Sequence, residues 1–182
     1  VLWLARLERD AGDLQSALDR LTKLSERHDA GPWDWARMVV GTMLGAWEAT
    51  RASARRLDIS VSGTEGPIND NWGLCRVQFG TGTAEPVTVY AARTGPVTAT
   101  VLQIDKLGGD NRVGDRVVFE ASPINADSDP SAEGHTWIYP VVATLSEGKM
   151  HTFEVDGMHP GEPARERLWA DLWALGCRAE RR

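Results

Sequence analysis

Two histidines in the carboxyl half offer the most specific chemistry that the residue types and spacings of this chain allow. His135 and His159 flank a predicted hairpin whose strands run from Thr136 to Leu145 and from Met150 to Asp156. If the loop Ser146 to Lys149 sets Leu145 opposite Met150, the register carries His159 beside Thr136 and close to His135. Two imidazoles with Glu133 and Asp156 a few residues away can share a metal ion, or act as an acid and a base, in a metal-assisted hydrolysis or isomerisation. The chain has no His-x-x-x-His or His-Glu-x-x-His spacing, so two surface histidines at a hairpin mouth is the plainer account. His151, which alternates with Phe153 and Val155, reads as a core histidine.

Other constellations are weaker. Oxygen-bearing residues alternate from Asn125 through Asp127 and Asp129 to Glu133, as at the start of a calcium loop, but Pro130 stands where the tight turn needs Gly and Thr136 where a bidentate Glu belongs. A solvated acidic loop explains the run better. Gly80 with Gly82, and Gly108 with Gly109, have neither the trailing Gly nor the Lys-Ser/Thr pair of a phosphate loop. Asp110 and Asp115, around Asn111 and Gly114, are turn formers. There is no Gly-x-Ser-x-Gly elbow and no cysteine-histidine nucleophile pattern, so no cofactor is expected.

A third group lies near residue 55. Arg51 and Arg55 are spaced four apart, and Asp58, Ser60 and Gly63 follow as Asp-x-Ser-x-x-Gly. The two patterns resemble the short signatures of PilZ-type cyclic-dinucleotide receptors. In that family a strand separates the motifs, so that a loop of arginines folds over a barrel face; here only Arg56 and Leu57 lie between them. The resemblance covers 13 of 182 residues and implies a small-ligand or cyclic-dinucleotide sensor using Arg51, Arg55 and Asp58.

Helices must position the arginines. Leu4, Leu7, Ala11, Leu14, Leu18 and Leu21 recur three and four apart, which predicts one helix with an apolar stripe, broadened by Ala17 and Leu24 and weakened locally by Gly12 and Asp13. After Asp29-Ala30-Gly31, Pro32 and Asp34 open a second helix predicted to reach Leu57. Its stretch Met38 to Trp47 carries no charge. A helix apolar on all sides must be wrapped, and this one is too short for a bilayer, which takes about 20 residues. Gly41 and Gly45 share a face that lets another helix approach closely.

Strands must position the histidines. From residue 58 the period changes to two, with candidates at Asp58 to Ser62, Leu74 to Phe79, Val87 to Ala92, Val97 to Ile104, Arg116 to Ala121 and the hairpin already named. Pro140 sits awkwardly in a strand apolar on both faces. Pro163 then opens, and Gly176 closes, a last helix whose Leu168, Leu172, Trp169 and Trp173 form one apolar face, with the two tryptophans as candidate binding residues.

The fold class expected is α+β: an amino-terminal helical hairpin (1–58), an antiparallel β barrel or sandwich (59–161) and a carboxyl-terminal helix (162–182) docking on the core. A chain of 182 residues can bury roughly 70% of its unfolded surface without disulfides. Cys75 and Cys177 therefore read as reduced thiols of a cytoplasmic protein. The opening VLWLARLERD returns to charge too soon for a signal peptide or anchor, and a chain that begins on Val is either a fragment or starts at a non-standard codon. Residues 59–161 hold six basic and thirteen acidic groups, a formal charge of minus seven, which argues against general nucleic-acid or membrane binding. The function expected is a non-catalytic binding or assembly module acting on a protein partner or a second copy, with the histidine enzyme and the sensor as alternatives.

Overall fold

The computed structural model describes residues 1–103, 113–150, 158 and 161–177. They divide into two compact units, Val1–Met150 and His151–Arg182. The first contains helices α1 (Leu2–Asp10), α2 (Leu14–Arg27), α3 (Pro32–Leu44) and α4 (Trp47–Arg56), followed by strands β1 (Leu74–Phe79), β2 (Val87–Arg93), β3 (Thr98–Val101), β4 (Arg116–Phe119) and β5 (Ile138–Ser146). The second contains α5 (Glu162–Ala174). The class is α+β, as expected.

The two long helices expected from the periodicity are each divided, and glycine divides both. Gly12 adopts φ +85 and Asp13 then accepts a hydrogen bond from the Ser16 amide at 3.2 Å, so the residues read as a local weakness end α1 and cap α2. Gly45, at φ +70, is the left-handed cap of α3, and α4 starts two residues later. Gly41 does lie where a helix approaches: a Cβ there would stand 2.8 Å from Thr50 Oγ1 of α4.

The uncharged stretch is wrapped. Ala36 and Val40 of α3 pack with Ala5, Ala17, Leu18 and Leu21 of α1 and α2. Met38 and Val39, fully buried, pack instead with Ala54 of α4, with Val97 just before β3 and with Val118 of β4. α3 is thus the shared wall of two cores, which explains why its apolar residues run around the whole helix. Its first turn is tied down by Asp34, fully buried, which accepts from Gly31 N (3.0 Å), Ser25 Oγ (2.9 Å) and Arg56 Nε (2.9 Å).

The strands close in order β1-β2-β3-β4-β5 into a barrel. Each consecutive pair is antiparallel, but β5 returns to β1 in parallel, Val77 opposite Tyr139. With an odd number of strands alternating in direction, the first and last run the same way, so the barrel is mixed and not purely antiparallel. Its interior is filled by Cys75, Val77, Val89, Ala91, Ala99, Val101, Val117, Phe119 and Tyr139. Phe119 and Tyr139 stack at 4.6 Å, and Arg93 lies over both rings and over Trp72 while its guanidinium donates to Tyr139 Oη and the carbonyls of Gly95 and Pro96. Burial pushes the Cys75 thiol up to about 11, with Arg93 opposing.

Pro140 is accommodated because its ladder is already irregular: the β4–β5 register shifts between Val118 and Phe119, and Pro140 keeps its carbonyl, which accepts from the Glu120 amide at 2.9 Å. The strand expected at Asp58 to Ser62 does not form. Ile59 and Val61 pack on the α3–α4–sheet core as an extended segment outside the ladder, so alternation here reflects one-sided burial without pairing. Met150 is outside the strands, and the rest of the expected strand to Asp156 lies outside the described residues, as do His151, Gly108, Gly109, Asp110 and Asn111.

Candidate functional site

The residues that the structure brings together are those near position 55. A groove of about 480 Å³ is lined by Arg51, Arg55, Asp58, Ile59, Ser60, Val61, Gly63 and Thr64, where the carboxyl end of α4 meets the extended segment after it. Ile59 and Val61 turn towards the core, which leaves Asp58 and Ser60 exposed.

The turn into this segment is a Schellman-type cap. Ile59 N donates to Ala54 O at 2.9 Å and Asp58 N to Arg55 O at 3.2 Å, which requires a left-handed residue between them. Asp58 fills that position at φ +56, the non-glycine residue with positive φ among those described. Glycine is the least strained choice there, and aspartate enters this region more readily than most residues, at a cost of about 1 kcal/mol or less. Strain of this kind collects at functional sites.

The arginines of α4 have three different fates. Arg51 is only 4% exposed, and it donates from Nη1 to the carbonyls of Ser62 (2.7 Å) and Gly63 (3.0 Å) and from Nη2 to those of Glu65 (3.1 Å) and Gly66 (3.2 Å). Four of its five N–H donors are thus committed to the loop, and the fifth, on Nε, is buried without a partner among the described residues. Arg56 is committed to Asp34 and to the carbonyl of His28 at 2.6 Å. Arg55 is exposed, and its side chain has no hydrogen bond or ion pair among the described residues.

Asp70 completes the loop's anchorage: its carboxylate accepts from the Ser62 amide at 3.1 Å and from the Ser62 hydroxyl. Those two bonds, with smaller help from Trp72 and Arg51, hold its carboxyl below the usual carboxylate range. Asp70 was hidden in the sequence within a stretch of turn formers, and nothing in its spacing marks it as the partner of Ser62.

The histidine pair is placed in part. His135 Nε2 lies 2.9 Å from Ser128 Oγ, and its ring meets Trp137 edge-on at 4.5 Å. Ser128 Oγ is also 2.5 Å from the Asn125 carbonyl, to which it donates, so the pair closes a local turn. His159 lies outside the described residues. Among those described, no group of three or more His, Cys, Asp or Glu is placed to hold a metal ion. In the acidic loop, Asn125 bridges the Ile138 amide and the Thr136 carbonyl, while Asp129 accepts from the amide and hydroxyl of Ser131.

Trp169 and Trp173 stand on α5, which opens at Gly161 with Pro163 in its first turn. Arg165 pairs with Glu162 and lies 5.1 Å from the Trp169 ring centroid. Cys75 and Cys177 are free thiols, and no described helix is long and apolar enough to cross a membrane. No protein-family model matches this chain, and neither a curated protein nor a solved structure does so.

Proposed function

We propose that the protein is a non-catalytic binding module whose ligand site is the groove at the end of α4. The observation that supports this is the meeting of Arg55, Asp58 and Ser60, each without a side-chain partner among the described residues, in a groove whose walls are held by other side chains. A guanidinium beside a carboxylate and a hydroxyl suits a ligand that carries both anionic oxygens and N–H donors. Bare phosphate would meet one cation and be repelled by Asp58. Nucleotides have both features, and cyclic dinucleotides, named by the sequence resemblance, are the first to test. The volume falls within the usual range for small-molecule sites. Calorimetric titration should show binding of cyclic diguanylate but not of inorganic phosphate. Arg55→Ala removes a charge-assisted contact worth about 1.5–3 kcal/mol, a loss of about 10- to 150-fold in affinity. Wild-type protein that takes up no nucleotide would end this reading.

A second reading, contact with a protein partner or a second copy, is favoured by α1. Trp3 is 69% exposed and Leu7, one turn on, is 46% exposed, an apolar face on the side opposite buried Ala5. Trp169 and Trp173 of α5 are the other candidates for such contacts. Light scattering on wild type and Trp3→Glu decides it: a larger species that Trp3→Glu dissociates supports self-association, while a strict monomer that recovers no partner removes this reading.

A further inference from the structure

The Arg-x-x-x-Arg pattern presents Arg51 and Arg55 as equivalent, one helical turn apart. Their surroundings are not equivalent. A ligand that drew Arg51 outward would strip four carbonyl oxygens of their donor, each left to find water or stay unsatisfied. The carbonyls belong to residues 62–66, of which Gly63, together with Thr64 next to it, lines the groove. We propose that Arg51 is the positioning residue of the groove: it holds residues 62–66 against α4 through a cage of four carbonyls, and contributes to ligand binding without donating a hydrogen bond to the ligand. This rests on the groove being the ligand site, whereas the cage itself is independent of any ligand.

The cage has a further property. Four carbonyl oxygens at 2.7–3.2 Å from one planar cation form a site matched to a guanidinium ion. Truncating the side chain in Arg51→Ala leaves those oxygens around a space that free guanidinium fits. An ammonium does not span them, since three donors on one nitrogen cannot reach two pairs of carbonyls.

Limited proteolysis with a glutamate-specific protease reads the loop directly, because Glu65 lies inside it and is exposed. Cleavage after Glu65 is expected to be at least tenfold faster in Arg51→Ala than in wild type, with Arg51→Lys in between. Millimolar guanidinium chloride should slow it in Arg51→Ala, while sodium chloride and urea at the same concentration should not. Affinity for cyclic diguanylate should fall with Arg51→Ala and recover with guanidinium; a purely structural role would leave affinity unchanged while cleavage rose, and would overturn the positioning claim. Cleavage of Arg51→Ala at the wild-type rate would overturn the cage. If that variant does not fold, Arg51→Lys decides the matter, and cleavage equal to wild type refutes the cage. If wild type binds no cyclic diguanylate, the groove reading fails while cleavage and its guanidinium rescue still test the cage.

Discussion

Arg51, Arg55 and Arg56 share a residue type and a helix, yet their roles are set by what the chain brings to each. A basic run at a helix end reads as solvated by default. The spacing of Arg51, Arg55, Asp58 and Ser60 was legible in the sequence, and so was their potential to meet. The burial of Arg51 was not, because it depends on residues 62–66 returning across α4, a path set by non-local packing. Asp58 carries the sharpest consequence at this scale. Relieving its left-handed strain with Asp58→Gly should raise stability by up to about 1 kcal/mol in chemical denaturation while weakening nucleotide binding. A loss of stability would show that the Asp58 side chain helps to hold the fold, and that the cap is not strained as inferred.

Among the elements, the helices show what periodicity reveals and what it hides. The apolar spacing located the buried side of α2, where Leu14, Ala17, Leu18, Leu21 and Leu24 serve the core, but not that of α1, where Leu4, Leu7 and Ala11 are exposed and Ala5 is buried, because the break at Gly12 resets the helix phase. The breaks at Gly12 and Gly45 were visible as residues but not as breaks, since a glycine inside a helical pattern ends it only when the chain needs a left-handed turn there. The segment 58–62 was misread for a related reason: alternating burial is common to a paired strand and to an extended chain lying on a core. The loop that follows is held by Asp70, whose folded pKa is depressed by Ser62. A depressed carboxylate contributes stability above its unfolded pKa, near 3.9, that is lost as pH falls through the folded value. Hydrogen-exchange protection of the Ser62 amide, corrected for intrinsic rate, should therefore hold from neutral pH down to that range and disappear below it. Unchanged protection in Asp70→Asn would contradict this. Close packing at the end of β5 is equally specific. A Cβ on Gly148 would stand 2.2 Å from the Val113 carbonyl oxygen and 2.8 Å from Asp115 N, where Gly148 N donates to Asp115 Oδ1. Gly148→Ala should cost about 1–3 kcal/mol, measured by urea denaturation, because backbone cannot move aside as a side-chain tip can.

Over the first unit as a whole, the barrel interior is filled with side chains, and the groove lies outside it, between α4 and the extended segment that follows. The α+β class and the wrapping of the stretch around Met38 followed from composition and periodicity. The parallel closure between β1 and β5 did not, because the pairing at the seam is set by how the barrel closes and not by alternation along the chain. Phe119 is buried completely, stacks on Tyr139 and lies under Arg93. Phe119→Ala should lower the stability of residues 1–150 by about 3–5 kcal/mol, and a loss below about 1 kcal/mol would mean that the barrel interior repacks freely. The central claim is tested most directly by amide chemical-shift mapping of the wild-type protein during addition of cyclic diguanylate. The shifts should cluster at residues 55–64 and leave α1 and the barrel interior unmoved; shifts elsewhere, or none at all, would contradict the assignment of the groove.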